Sequence, residues 1–128
     1  MYLRIASEFS ELSKARRNKV GCIVVKDGNI IAVGYNGTPS GWDNECEDEE
    51  GNTHPHVLHA EANAITKLAM GKESSKDATL YCTLGPCFEC AKLILQSGIK
   101  EVVYAYDYRD LSGVNLLRRG NVPIHHTN

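Results

Sequence analysis

Four side chains in two short stretches combine metal-binding chemistry with proton transfer. His59 and Glu61 lie in the stretch HAEANAI, and Cys87 and Cys90 lie in PCFEC. One imidazole and two thiolates are good ligands for tetrahedral zinc, and three protein ligands leave the open fourth position of a catalytic site. Glu61 is placed to take a proton from water and to deliver it to a leaving group. The four residues therefore predict a catalytic zinc site with an acid–base carboxylate.

Helix starts are the elements that can bring these side chains together. Residues i and i+2 of a regular helix point about 200° apart, so His59 and Glu61 converge only where a helix begins. Cys87 and Cys90 are i, i+3 neighbours directly after Pro86, a residue that favours the first turn of a helix. The helix dipole there stabilises thiolates. We therefore expect two helices to begin at the metal.

Other interpretations of these cysteines are a structural zinc ribbon and a redox pair. A ribbon needs a fourth ligand, and a redox pair explains neither His59 nor Glu61. A second metal site is a separate possibility, because a loop carries three further potential ligands. These are Cys46, His54 and His56. The alternative is that they are ordinary residues of a polar loop.

The pattern of hydrophobic residues predicts an α/β fold. A first helix starts at Tyr2 and continues into the basic segment KARRNK, and VGCIVV and IIAVGY form a hairpin across Asp27-Gly28. Residues 36–58 read as a long loop. A β-α-β unit follows the helix after His59, and a short helix and a last strand end the pattern. We expect a single domain over 1–128, with one mixed central sheet of about five strands and helices on both faces.

Composition limits the partners. The 128 residues carry a net charge of −2, which gives no large field toward nucleic acid or acidic lipid. Because MYLRIASEFSEL lacks a continuous apolar run, no signal peptide or spanning helix is predicted, and the expected compartment is the cytoplasm. An anionic ligand must therefore meet a local cluster of cations.

Longer stretches carry a family resemblance. KVGCIVV, GYNGTPSG, HAEANAI and PCFECAKLILQSGIKEVVY together resemble the deoxycytidylate (dCMP) deaminases over roughly residues 1–110. The paired H-x-E and P-C-x-x-C motifs are also the known signature of zinc-dependent nucleobase deaminases. The resemblance implies the cytidine deaminase fold and hydrolysis of dCMP to dUMP and ammonia. It also implies a homo-oligomer, a hexamer in many members, that dCTP activates and dTTP inhibits.

The resemblance assigns roles to individual residues. It implies His59, Cys87 and Cys90 as zinc ligands and Glu61 as the proton shuttle. It also implies Asn36 and Ala60 as substrate contacts, together with a tyrosine that stacks on the base. Tyr108 is our choice and Tyr106 the reserve, because both lie at the carboxyl end of a predicted strand. The effector site is expected at the loop formed by Gly34, Tyr35, Asn36 and Gly37.

The densest cationic cluster admits two interpretations. Lys14, Arg16, Arg17 and Lys19 are either the solvated end of the first helix or a clamp for phosphate. A triphosphate effector would need Lys14, Arg16 or a Mg²⁺ ion, with a subunit boundary as one location.

Three competing functions stay open at this point. The first is deamination of another cytosine nucleotide, such as dCTP. The second is deamination of a base within nucleic acid, which the weak net charge disfavours. The third is a zinc-stabilised binding module without catalysis, in which Glu61 would have no role.

Overall fold

The computed structural model describes residues 1–127 and contains one five-stranded sheet. The strand order is β2-β1-β3-β4-β5. The strands are β1 Gly21–Lys26, β2 Asn29–Tyr35, β3 Thr79–Leu84, β4 Glu101–Tyr106 and β5 Ile124–His126. The helices are α1 Tyr2–Ser10, α2 Ala60–Met70, α3 Phe88–Gln96 and α4 Ser112–Arg119. The predicted α/β architecture with a mixed sheet is confirmed.

The sheet combines a hairpin with a parallel unit. β1 pairs antiparallel with β2 and with β3, whereas β3–β4 and β4–β5 are parallel. Asp27 and Gly28 both have positive φ, as the predicted two-residue hairpin turn requires. Because β3 and β4 are parallel, their carboxyl ends lie at the same edge of the sheet. The loops that leave these two strands can therefore build one site.

Helices cover both faces of the sheet. The larger core lies between the sheet and α2, α3 and α4, and it includes Leu80, Ile94 and Leu117. The smaller core lies under α1, where Ala6 packs with Ile23. β1 contributes side chains to both cores, so it is buried on both sides. Within residues 1–127, no helix is long and apolar enough to cross a bilayer.

The first helix is shorter than the sequence pattern predicts. It ends at Ser10, and the basic segment after it is irregular. The Ser13 hydroxyl donates to the Asn36 carbonyl and accepts from the Ala15 N–H, which draws this segment across the end of β2. The expectation that the basic cluster continues α1 is therefore wrong. Its backbone forms tertiary hydrogen bonds in place of helical ones.

Candidate active site

His59, Cys87 and Cys90 converge at the starts of α2 and α3. The His59 Nδ1 atom lies 3.4 Å from the Cys87 Sγ and 3.4 Å from the Cys90 Sγ. Zn–N and Zn–S bonds of about 2.0 and 2.3 Å in a tetrahedron place these donors about 3.5 Å apart. Among the described residues this is the one group of three or more potential ligands that lie close enough to share a metal ion. The donor set and its spacing therefore fit zinc.

Local backbone conformation explains why these side chains are free to converge. His59 and Cys87 precede α2 and α3 as extended N-cap residues, and the His59 side chain caps no helical N–H. The Cys87 Sγ instead accepts from the Cys90 N–H at 3.5 Å. Gly113 of α4 lies against this turn, and a Cβ there would be 2.6 Å from the Cys87 carbonyl oxygen. A side chain at position 113 would thus displace the backbone that carries a potential ligand.

Hydrogen bonding sets the protonation of the thiols. Cys90 shares its proton with Cys87, which lowers the pKa of Cys87 to about 4 and raises the pKa of Cys90. The hydrogen bond to Cys87 also raises the pKa of His59, against the effect of burial. The lowered pKa favours a thiolate at Cys87, the form that binds metal.

Glu61 lies in the first turn of α2 and is 4% exposed. Burial raises the pKa of its carboxyl to about 7, although the Glu61 N–H and the charge of His59 oppose this shift. A group with a pKa near neutrality can both accept and donate a proton. Glu61 also lines the cavity in front of the His59, Cys87 and Cys90 cluster. Its environment suits acid–base chemistry.

We name this space the first cavity; its volume is about 480 Å³. It opens at the carboxyl ends of β3 and β4, where ligands bind in open α/β sheets. Besides Glu61 and two of the metal-ligand candidates, its lining includes polar side chains from three loops. These are Arg17, Asn18, Asn36, Glu47, Asp107, Tyr108 and Arg109.

Asn36 and Ala60, both expected to contact substrate, line the first cavity. The Asn36 carboxamide is already engaged, because its Oδ1 accepts from the Val20 N–H at 2.9 Å and its Nδ2 donates to the Asn18 carbonyl at 2.8 Å. Ala60 contributes its backbone, and its carbonyl accepts a hydrogen bond from the Cys22 thiol. Asn36 therefore shapes the cavity wall at least as much as it presents a free polar group.

The two candidate stacking tyrosines lie in different environments. Tyr108 lines the first cavity, whereas Tyr106 ends β4, is 65% exposed and is not part of the lining. Tyr104 is buried and donates its hydroxyl proton to Asp107. The geometry thus keeps Tyr108 as the candidate for the base stack and places Tyr106 outside the cavity.

The cationic cluster is divided among several positions. Arg17 lines the first cavity, and Lys14 lines a second one. Arg16 pairs with Glu45 at 3.5 Å and with Glu47 at 3.8 Å, so its guanidinium is already partnered. The four cations of the possible clamp, Lys14, Arg16, Arg17 and Lys19, therefore do not all line one cavity.

A second cavity of about 340 Å³ lies on the other side of Asn36. It is lined by four of the seven residues expected at an effector or phosphate site, which are Lys14, Tyr35, Asn36 and Gly37. Gly34 does not line it: this residue is buried against α2, where a Cβ would be 2.3 Å from the Ala60 carbonyl oxygen. Lys67 contributes a further cation, with its Nζ 5.6 Å from the centre of the Tyr35 ring.

The possible second metal site is not assembled. The rings of His54 and His56 stack at 5.0 Å, and Trp42 packs on His56. Cys46 is buried, and the described residues contain no metal-binding group that includes it. Among the described residues, these three side chains lie apart from the one metal-binding group.

Sequence reasoning overlooked several polar residues of the first cavity, among them Arg109 and Glu47. Arg109 lies directly after Tyr108, so its proximity to the predicted strand end could have identified it. Glu47 lies in the acidic run ECEDEEG, where each charge reads as solvated. Its side chain is nevertheless 1% exposed and accepts from the backbone N–H groups of Arg16 and Arg17.

Family comparison agrees with this geometry. Residues 1–106 match the model for the cytidine and deoxycytidylate deaminase zinc-binding region. That span contains the three metal-ligand candidates and Glu61. The chain therefore belongs to the cytidine and deoxycytidylate deaminase family.

Particular relatives are deoxycytidylate deaminases. The chain is 44% identical over 115 residues to a probable deoxycytidylate deaminase of Caenorhabditis elegans, covering 85% of this chain. It is 40% identical over 120 residues to the deoxycytidylate deaminase of Homo sapiens, again covering 85%. It spans 57% and 65% of the lengths of those two proteins.

A solved structure extends the similarity to nearly the whole chain. The dCMP deaminase of the cyanophage S-TIM5, in complex with dCMP and dUMP, is 46% identical with a TM-score of 0.96. The alignment covers 98% of this chain and 93% of that one. The predicted cytidine deaminase fold is thereby confirmed.

Proposed function

We propose that this protein catalyses the zinc-dependent hydrolytic deamination of dCMP to dUMP and ammonia. The observation that carries the proposal is the buried Glu61 carboxyl beside a His, Cys, Cys cluster in a nucleotide-sized cavity. The 46% identity to an enzyme solved with dCMP and dUMP supports the choice of substrate. His59, Cys87 and Cys90 would hold the zinc ion, which when bound supplies a Lewis acid that activates water.

Glu61 would move the protons. Water adds to C4 of the cytosine, and Glu61 takes a proton from that water and delivers it to N3. The hydroxyl group now on C4 gives its proton through the same carboxyl to the amine; the C4–N bond breaks, ammonia leaves and the C4 carbonyl of dUMP forms. A carboxyl with a pKa of about 7 suits both directions of transfer. Burial at the start of α2 keeps this group near the reacting atoms and away from bulk solvent.

The remaining side chains of the first cavity would bind the nucleotide. Tyr108 would stack on the base, and the Asn36 and Ala60 wall would face the sugar. Arg17 and Arg109, two cations of the first cavity in a chain of net charge −2, would meet the phosphate. A monophosphate is therefore the expected substrate, in preference to a bare nucleoside.

The second cavity would bind a regulatory nucleotide. Lys14 and Lys67 supply positive charge there, and Tyr35 supplies a ring. We expect sigmoidal dCMP kinetics that dCTP makes hyperbolic and dTTP suppresses, with Mg²⁺ accompanying the triphosphate. A homo-oligomer, such as a hexamer, stays a prediction that rests on the family resemblance.

Ammonia release tests the activity and the substrate together. The zinc-loaded protein is assayed with dCMP, dCTP, CMP and deoxycytidine side by side. A kcat/KM for dCMP at least about tenfold above that for deoxycytidine is expected, since one charge-assisted hydrogen bond accounts for such a ratio. A preference for dCTP would assign the chain to a sister activity. The absence of ammonia from every substrate would favour the non-catalytic zinc module.

A further inference from the structure

Glu47 is a buried carboxylate to which the proposed reaction assigns no role. Its Oε2 accepts from the Arg16 N–H at 2.9 Å and from the Arg17 N–H at 3.1 Å, and its Oε1 accepts from the Arg16 N–H at 3.1 Å. Burying a charge is costly unless hydrogen bonds compensate for it. Two consecutive backbone donors aimed at one carboxylate therefore mark a fixed connection between the segments around residues 16 and 47.

This connection is built from both sides. The Arg16 Nη2 donates back to the Glu47 carbonyl at 3.4 Å, and Glu47 itself is held by an antiparallel bridge to Thr53. The N–H groups of Arg16 and Arg17 outweigh the effect of burial, so the pKa of the Glu47 carboxyl is lowered. The group is thus anionic at neutral pH, where it accepts hydrogen bonds and donates none.

Arg17 is the side chain whose position depends on this connection. It lines the first cavity, and within residues 1–127 no carboxylate oxygen lies within 4.0 Å of its guanidinium nitrogens. Arg16, by contrast, pairs with Glu45 and Glu47. Because the backbone is fixed at both residues, Arg16 stays with its carboxylate partners while Arg17 faces the first cavity.

We infer that Glu47 is a positioning residue for substrate phosphate: it holds the Arg16–Arg17 backbone so that Arg17 meets a nucleotide monophosphate in the first cavity. The inference rests on the proposed function and adds a determinant of the preference for a phosphorylated substrate. A carboxylate placed only for its charge would repel phosphate. If Glu47 positions Arg17, removing its charge should weaken dCMP binding. If Glu47 only repels phosphate, removing its charge should strengthen dCMP binding.

The test compares zinc-loaded wild type, Glu47→Gln and Glu45→Gln with dCMP and deoxycytidine. We expect Glu47→Gln to raise the KM for dCMP about tenfold, the equivalent of one charge-assisted hydrogen bond. The kcat for dCMP and the kcat/KM for deoxycytidine should stay within about twofold. Glu45→Gln, a matched change of an exposed carboxylate that also pairs with Arg16, should leave both substrates unaffected.

Further variants separate positioning from a general loss of structure. Arg17→Ala should raise the KM for dCMP at least as much, and adding Glu47→Gln to it should raise that KM no further. Should Glu47→Gln not fold, Glu47→Asp replaces it, because the shortened side chain keeps the charge but withdraws from the two N–H groups.

The inference is overturned by any of four results. These are a lower KM for dCMP in the Glu47 variant, an equal loss with both substrates, additive effects in the double variant, or an unchanged dCMP preference in Arg17→Ala. Failure of the proposed function appears separately, as a wild-type enzyme that does not prefer dCMP to deoxycytidine.

Discussion

The two cavities share a wall but differ in construction. Asn36 and Cys46 line both. The chemical groups at the candidate active site come from the starts of α2 and α3, and Glu61 and Cys90 are buried. The second cavity is lined largely by the loop over residues 37–44, much of which is exposed. Groups on regular elements are held more precisely than groups on loops. The difference suits chemistry in one cavity and adjustable binding in the other.

α2 connects the two regions. Its first turn presents Glu61 to the first cavity, and Asn63 and Lys67 further along the helix line the second. The Asn63 Nδ2 donates to the Tyr35 carbonyl, and the Lys67 Nζ donates to the Val33 carbonyl. A ligand in the second cavity would therefore contact the same rigid helix that positions the acid–base group.

The largest expected effect is on the metal. Cys87→Ala removes one of three ligand candidates, so we expect the purified variant to lose its zinc and its deaminase activity. Zinc content measured by atomic absorption, with activity assayed on the same sample, checks this. Cys46→Ala is the control, because Cys46 lies outside the metal-binding group, and it should retain about one zinc per chain. Full zinc occupancy in Cys87→Ala would refute the ligand assignment.

The next effect separates proton transfer from metal binding within the first cavity. Glu61→Ala should keep its zinc and lose roughly 10²–10⁴-fold in kcat, the usual contribution of an acid–base group. Glu89→Ala, which removes an exposed carboxylate next to Cys90, should leave both quantities unchanged. A metal-free Glu61→Ala protein, or one with near-normal turnover, would contradict the assigned role.

A smaller effect is expected in the second cavity. Lys67→Ala should weaken the affinity for dCTP and dTTP about tenfold, the equivalent of one charge-assisted hydrogen bond. The measurement is the concentration of each nucleotide that gives half its effect, with Mg²⁺ present. Lys92→Ala on the exposed side of α3 is the control. A wild-type enzyme indifferent to both nucleotides would show that this cavity has no regulatory role.

The smallest effect concerns stability at Glu47, which lines the first cavity. The lowered pKa of Glu47 means that its contribution is complete above the ordinary value of 4.5 and is lost as pH falls through the folded-state value. Glu47→Gln should therefore cost about 1–3 kcal/mol of unfolding free energy at neutral pH. The gap from wild type should be narrower at an acidic pH below 4.5 than at neutral pH. Urea unfolding at both pH values measures it, with Glu45→Gln as reference. A gap that does not change with pH would contradict a charged Glu47.

Local signals explain why the reactive groups were predictable. His59, Glu61, Cys87 and Cys90 lie at helix starts that Pro86 and the alanine-rich run already indicate. The β-α-β unit was equally accessible, since its parallel pairing follows from a single crossover. In each case the decisive information lies within a few residues along the chain.

Long-range contacts explain what the sequence pattern missed. Glu47 meets its partners across 30 and 31 residues, and the nearby acids Glu45, Glu49 and Glu50 are exposed. The pattern also did not indicate that the Asn36 amide bonds to Val20 and Asn18. The same kind of contact ended α1 at Ser10, because tertiary bonds to Ser13, Arg16 and Arg17 outweigh helical spacing. No periodicity reports such pairings.

The three metal-ligand candidates lie at unequal distances along the chain, and this spacing affects the order in which the site forms. Cys87 and Cys90 are three residues apart and come together once the first turn of α3 forms. His59 is 28 residues from Cys87 and arrives only when α2 docks against the sheet. Local turns form faster than distant contacts. In a refolding experiment, weak two-thiolate metal binding should therefore precede tight binding. The moment of tight zinc uptake would then report the docking of α2.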